Sequence, residues 1–573
     1  MKPIILFLLY IISSLNSYAQ NFHLEIKGSS NTENQIIDSL KYISAHKNTK
    51  SVDDEIITIS KKLSELGYID SQATEKTKKN DSTYYSKLTL GERIKTIHIY
   101  IGINNLENDL VSSIIKKDTL AIPYNQTENF LNQTLQKLEE NGYALAQLKL
   151  TNFERKKDAL YTELKIDTNK PRALSSIIIN YVEKKNKERF PEGPLKQINR
   201  KYRNKIFNKK ITTEIHNDFE KFTFVNQIKY PELLLTKDST KVYVYLEKRK
   251  SNTFEGFIGF SNNENKKIKL NGYLDLNLEN ILKTGEEISI YWKSDQNKQK
   301  TFKAGIDLPY IFKSPLNLKS QIQIFKQDST FQNTKTVIDL GYIINHNTRI
   351  YLGYQSTEST DIQNTNNNSI SDYKNFYTNT SFKYSKLDSD NIFFNTKTNI
   401  EFVFGLGSRT TKNLPETVGT SKQFQIKLDA MYNFYLNKKN YINIKTQNYF
   451  LESNTYITNE LYRFGGINSI RGFEENSLNA QYFSSLITEY RYIISPQIYL
   501  HTILDYCIYK DPLDLKKETS KNALTTIGIG MGIVSKGGLF KLILANGSSK
   551  NQELKFYNTI INICYNVKFW MRA

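Results

Sequence analysis

The fold class this 573-residue sequence predicts is a set of α+β modules followed by an all-β, sixteen-stranded antiparallel transmembrane β-barrel. Three observations carry that expectation. Glycine is unevenly spread, with 6 of the 25 in residues 20–252 and 19 in residues 253–573. The first of these stretches repeats a short pattern at module-sized spacing. The second alternates apolar and polar residues with period two, in many runs of ten or more residues, long enough to cross a bilayer at a tilt.

The chain opens MKPIILFLLYIISSLNSYAQ. Lys2 precedes the apolar core Ile4–Ile12, and Ser17 and Ala19 supply the small residues of a cleavage site. This predicts a signal peptide over 1–19, too short to span a membrane. No cysteine follows the cut, so no lipid anchor is expected. Beyond it no window holds the ~18 apolar residues of a spanning helix. The net charge of +20 raises the question of nucleic acid. An exported chain meets anionic lipid headgroups instead, and no nucleic-acid partner is expected. Cys507 and Cys564 both lie in strand-like runs with no CxxC, so neither a disulfide framework nor a metal site is indicated. HExxH, GxSxG and Walker patterns are missing, and an enzyme or a cofactor is not expected. GIGMG (528–532) sits in an alternating strand with no helix after it, where its glycines give a strand face small residues.

Within the first stretch, KKLSELGYID (61–70), QKLEENGYAL (136–145) and NDFEKFTFVN (217–226) align at spacings of 75 and 81 residues. Leu63, Leu138 and Phe219 correspond, as do Gly67, Gly142 and Thr223. Each block reads as a helix end, a stop, and an aromatic entering a strand. HLEIKG, IKTIHIYIG and SSIIINYV open the units; YSKLTL, YTELKID and KVYVYLEK close them. Each unit then has a strand, two helices and two strands, with helices on one sheet face. The expected boundaries are 20–95, 96–171 and 172–250, with the barrel over 251–573.

The barrel segments are expected near 253–261, 266–279, 285–294, 299–308, 315–328, 331–344, 347–358, 373–387, 391–405, 420–435, 439–452, 479–493, 497–510, 523–534, 537–546 and 555–569. In the last, Ile561, Ile563, Tyr565, Val567 and Phe569 oppose Asn562, Cys564, Asn566 and Lys568. An even count suits a closed antiparallel barrel, whose closure spares hydrocarbon an unpaired sheet edge. The seam joins the first segment, with Gly256 and Gly259, to the last, with Tyr565 and Phe569; glycine weakens strand packing there. With the modules in the periplasm, the connection between segments eleven and twelve is the sixth extracellular loop, and it carries Ser469–Phe473, SIRGF.

Modules of this shape resemble POTRA domains. An RGF element in the sixth loop of a C-terminal sixteen-stranded barrel resembles the BamA/TamA superfamily of outer-membrane assembly and secretion proteins, with a layout closest to the TamA type. IDLPYIFKSPLNL (306–318), LITEYRYI (486–493), LDYCIY (504–509) and GIGMGIVSKGGLFKLILANG (528–547) agree. The resemblance implies an outer-membrane location with periplasmic modules. It also implies a loop arginine docked on an acidic residue of the inner wall. Here that is Arg471, flanked by Ile470, Gly472 and Phe473, with Asp505 as the best-matching partner and Glu489 as the second. Parity places both carboxylates on the face opposite the apolar one. The partners implied are unfolded outer-membrane or secreted client proteins, outer-membrane lipids, and periplasmic or inner-membrane accessory proteins. The job implied is assembly or translocation, with clients bound by β-augmentation of the modules and inserted through the seam. The alternative is a two-partner secretion transporter that passes an exoprotein through the lumen. A passive porin would leave the modules unexplained.

Overall fold

The computed structural model describes residues 22–569 apart from 103–114, 116–117, 182–188, 263–267, 295–298, 364–368, 389–390, 392, 412–419, 514–520, 536, 551–552 and 556–557, and the side chains of 257–271. The signal-peptide segment and Gly259's surroundings lie outside the described residues. The described chain divides into two units.

The first unit holds two mixed sheets. In one, Phe22–Gly28 pairs in parallel with Thr83–Thr89, and the helices Asn31–Ser39 and Thr49–Glu65 cover it. Ile37, Val52, Ile59 and Leu63 are buried against Leu24, Ile26 and Leu88. The longer helix begins where the Asn48 side chain accepts from the Ser51 N–H, an N-cap that satisfies one orphan donor. It ends at Gly67, whose φ of +100° a side chain would strain. In the other sheet, Thr96–Tyr100 pairs in parallel with Ala159–Asp167, and the helix Thr127–Glu140 ends on Gly142 at φ +95°. A third sheet, in the second unit, repeats the plan: Ser176–Tyr181 runs parallel to Thr240–Lys248. The sequence repeat is thus visible as one recurring parallel pair. Phe222 and Phe224 pack with Phe190 and Phe219 near the helix end that lacks the glycine.

The second unit also contains the closed barrel. Its strands, one to sixteen, are Asn252–Asn262, Ile268–Glu279, Glu287–Ser294, Gln299–Ile311, Leu316–Gln327, Phe331–Asn345, Thr348–Asp361, Tyr373–Leu387, Thr396–Thr411, Ser421–Tyr435, Asn440–Ser453, Tyr482–Ser495, Ile498–Lys510, Asn522–Val534, Leu539–Ser549 and Ile560–Phe569. Every neighbouring pair is antiparallel, and strand sixteen pairs back onto strand one. The direction of the alternation decides what surrounds it. Leu352 is 62% exposed and Ile561 63%, while Asn317 and Thr526 are fully buried. A soluble sandwich buries its apolar face; this sheet turns it outward and encloses the polar one, as a bilayer demands.

Strands nine and sixteen depart most from the sequence reading. Strand nine starts at Thr396, five residues later than the expected 391, and runs on to Thr411. The apolar pair Phe393–Phe394 looks like a strand opening but lies in the turn, where both rings pack on Tyr499. Strand sixteen begins at Ile560 rather than 555. Inside the sixth loop, Tyr462–Phe464 and Leu478–Ala480 form a separate two-stranded ribbon.

The third module meets the barrel at the even-to-odd strand turns. Gln197 Nε2 donates to the Lys313 carbonyl at 2.7 Å, Lys313 pairs with Glu192, and Thr223 Oγ1 donates to Glu279 at 2.5 Å. The sixth loop enters from the opposite end.

Candidate functional site

Strands eleven and twelve are joined by residues 454–481, and this long connection folds down into the barrel. Its turn is set by Gly465 and Gly466, with φ of +107° and +94°, and by Ser469, whose Oγ accepts from the Gly465 N–H at 2.8 Å. Ile470 is then fully buried with Phe464, Phe473, Phe483 and Leu524 in an apolar cushion against strands twelve to fourteen. That cushion delivers Arg471, 3% exposed, to the wall.

Arg471 Nε donates to Asp505 Oδ2 at 2.8 Å and Nη2 to Oδ1 at 2.5 Å, the two parallel bonds of a guanidinium–carboxylate fork. Nη1 donates to Glu489 Oε1, and the backbone carbonyl of Arg471 accepts from Thr526 Oγ1 at 2.5 Å. Glu489 is shared: Arg491 Nε donates to its other oxygen at 2.7 Å. Arg491 in turn lies 4.3 Å over the Phe394 ring and donates to Asn433. Two guanidinium groups and two carboxylates therefore balance in a site where an unpaired charge is expensive. Asp505 has no exposed surface, and its neighbours Leu504 and Tyr506 point outward.

The residues after Arg471 explain the choice of side chains. Gly472 has φ +77°, and a Cβ there would stand 2.5 Å from the Gly547 nitrogen. Phe473 lies over Gly547, where an added Cβ would meet its ring at 2.5 Å. The loop tip and strand fifteen are mutually cut to glycine. Glycines of 528–532 serve a similar purpose, with Gly530 under the His501 ring and Gly532 under Tyr499.

The structure thus brings Ile470, Arg471, Gly472 and Phe473 together with Asp505 and Glu489. The seam residues are elsewhere. Among the described residues, strands one and sixteen pair through four residue pairs, Asn252↔Phe569, Thr253↔Lys568, Phe254↔Val567 and Glu255↔Asn566. Gly256 and Tyr565 stand next in register, but Gly256 pairs only with Leu274 on strand two and Tyr565 with Phe540 on strand fifteen. Gly259 pairs in the backbone with Asn271. Asn566 Nδ2 donates to Glu255 at 3.1 Å across the seam.

Sequence reasoning missed Glu460, Arg463, Arg491 and Arg409. Glu460 and Arg409 form an ion pair with 3% and 2% side-chain exposure. The parity of strand nine could have found Arg409, since Phe402 and Leu406 face out and Arg409 is on the other face. The expected segment stopped at 405 and left it out.

A model of the Omp85 superfamily domain matches residues 280–542. No curated protein matches the chain. Among solved structures, BamA from Haemophilus ducreyi lacking POTRA domains 1-3 is 15% identical with a TM-score of 0.49, over 82% of this chain and 98% of that one. CdiB from Escherichia coli is 11% identical with a TM-score of 0.49, over 89% and 98%. CdiB from Acinetobacter baumannii is 12% identical with a TM-score of 0.49, over 83% and 89%. The outward apolar face and the matched domain together set the barrel in the outer membrane. The matched residues, 280–542, run from the turn after strand two into strand fifteen, so most of this barrel is similar to the Omp85 superfamily domain.

Proposed function

We propose that this protein assembles outer-membrane clients by opening its barrel between strands one and sixteen. The observation that carries this reading is the short seam. Among the described residues four residue pairs close it, whereas strands one and two share ten. A client strand arriving from the periplasm carries unpaired backbone groups, each costing several kcal/mol in hydrocarbon. A seam that unzips offers those groups partners on both edges and releases the client sideways, with pairing and burial as the driving force. Edge strands such as Ser176–Tyr181 of the third module sheet suit a first contact by β-augmentation. The Arg471 contacts act as a latch that holds the loop tip on strands twelve to fourteen while the seam works. Unfolded clients and the surrounding lipid are the partners this reading requires.

The test is a disulfide across the seam. Glu255→Cys and Asn566→Cys, in a background with Cys507 and Cys564 replaced by Ala, place two thiols on a directly opposed pair. Oxidised protein is expected to stop inserting outer-membrane clients and to resume on reduction. Full insertion by the oxidised form sinks lateral opening. Continued export of an exoprotein by that form, with insertion lost nowhere, favours passage through the lumen instead.

A further inference from the structure

The loop that ends in Arg471 is attached to the barrel a second time, with the polarity reversed. At the tip, the loop supplies an arginine and the wall supplies carboxylates. At Glu460 the loop supplies the carboxylate and strand nine the arginine. The Arg409–Glu460 pair is almost wholly removed from water, a loss that only dense hydrogen bonding offsets. Most of that bonding is present, with Arg409 Nε the buried donor left without a partner among the described residues. Gln423 Nε2 and Asn375 Nδ2 donate to Glu460 at 2.9 and 3.3 Å, and Arg409 Nη2 donates to Thr455 Oγ1 of the same loop at 2.5 Å. The preceding residue, Asn459, donates to Ser359 Oγ at 2.7 Å, and its carbonyl accepts from Asn333 Nδ2 at 2.6 Å. Two adjacent loop residues therefore engage strands six, seven, eight, nine and ten.

The chain then crosses the lumen. Arg463 lies between the Phe325 and Phe331 rings at 5.1 and 4.9 Å and donates to Gln327. These belong to strands five and six, and strand five stands eight strands from Asp505 on strand thirteen, half of a sixteen-stranded ring. Contacts at Glu460 and Arg463 gather at the outer ends of their strands, near the expected extracellular rim. Those of Arg471 lie at mid-strand.

We propose that Arg409 and Glu460 form a rim anchor that keeps the outer mouth of the lumen closed independently of the Arg471 tip. This rests on the barrel but not on the assembly activity, so its outcome is separable from that of the seam test. The experiment is conductance of the purified full-length protein in planar bilayers, with retention of the heat-sensitive gel shift of a folded barrel as the fold check. Arg409→Ala and Glu460→Ala are each expected to raise mean conductance on the order of tenfold by populating an unplugged state. The charge exchange Arg409→Glu with Glu460→Arg is expected to return it most of the way, which a merely structural role would not do. Glu460→Gln keeps the size and the acceptor for Gln423 and is expected to fall in between. Wild-type conductance in the folded Ala variants overturns the proposal, and so does a charge exchange no quieter than the single variants. If the Ala variants fail to fold, wild-type conductance in Glu460→Gln overturns it.

Discussion

The loop tip and the seam are both joints of one barrel, made by opposite means. At the tip, one side chain and its backbone reach three wall strands, and Arg471, Asp505 and Thr526 are sealed from water. At the seam, four backbone pairs among the described residues and side-chain bonds such as Asn566 to Glu255 repeat a modest interaction. A sealed ion pair cannot be half broken, because a lone buried charge is worse than none. A short ladder can open pair by pair. The proposed opening therefore sets a stiff joint, where the loop meets the wall, against a compliant one, where the two terminal strands meet.

The largest effect should come from breaking the stiff joint. Arg471→Ala leaves Asp505 buried without a cation, although Glu489 keeps Arg491, and should cost ~3–5 kcal/mol of loop attachment. Protease cleavage within 454–481 would report it. Arg471→Lys should rescue little, since an ammonium cannot make the forked contact. Cleavage no faster in either variant than in wild type would remove the tip from the stiff side of the comparison.

That joint was more legible in the sequence than the rim above it, for a physical reason. Alternation fixes which face a residue takes, and Asp505 and Glu489 each sit within a clear run. What a loop touches is not periodic. Glu460 lies 51 residues from Arg409, and nothing local couples them. Phe393 and Phe394 added to the difficulty, because an apolar pair beside an alternating run reads as its beginning. The sixteen strands were legible because each one repeats the same signal along its length. The count of pairs across the seam was not, because pairing between strands one and sixteen depends on closure and not on either segment alone.

A second way to strain the stiff joint spares its charges. Gly472→Ala puts a Cβ at positive φ and 2.7 Å from the Asn546 carbonyl carbon, and should cost ~1–3 kcal/mol. Its signature is loosened protease protection with the Arg471 side chain intact. A fully protected loop in this variant would show that strand fifteen yields.

At the compliant joint, a smaller loss should matter more. Asn566→Ala removes the bond to Glu255, worth ~1 kcal/mol. Thr446→Val removes a comparable one, from Thr446 Oγ1 to the Ser485 carbonyl at 2.7 Å, between strands eleven and twelve. Equal losses should lower the temperature of barrel opening only for Asn566→Ala, because eleven pairs hold strands eleven and twelve together. Identical shifts would mean that the seam is no weaker than its neighbours in practice.

The smallest effect concerns a third joint, where the third module meets the barrel turns. His346, in the turn after strand six, donates from Nε2 to the Lys221 carbonyl at 2.9 Å and lies edge-on to Phe222 at 4.9 Å. Burial, then the nearby Arg349 guanidinium, lowers its pKa from 6.5 to about 4, against the pull of the Lys221 carbonyl. The docked ring is therefore neutral where an undocked one would take a proton. Its contribution is complete above about pH 6.5 and is lost progressively as pH falls toward 4. Asp218 works in another window. Burial raises its carboxyl, but bonds from Lys201, Lys221 and Tyr202 outweigh that and hold it below 3.8, so its share persists until pH drops through that lowered value. Spin labels on the third module and on the 312–315 turn should show the docked population shrinking on the order of threefold between pH 7.5 and 5.5. His346→Gln should flatten that response, since it keeps a donor for Lys221 and cannot titrate. An unchanged pH response in His346→Gln would assign the sensitivity to another group and leave this joint as rigid as the loop tip.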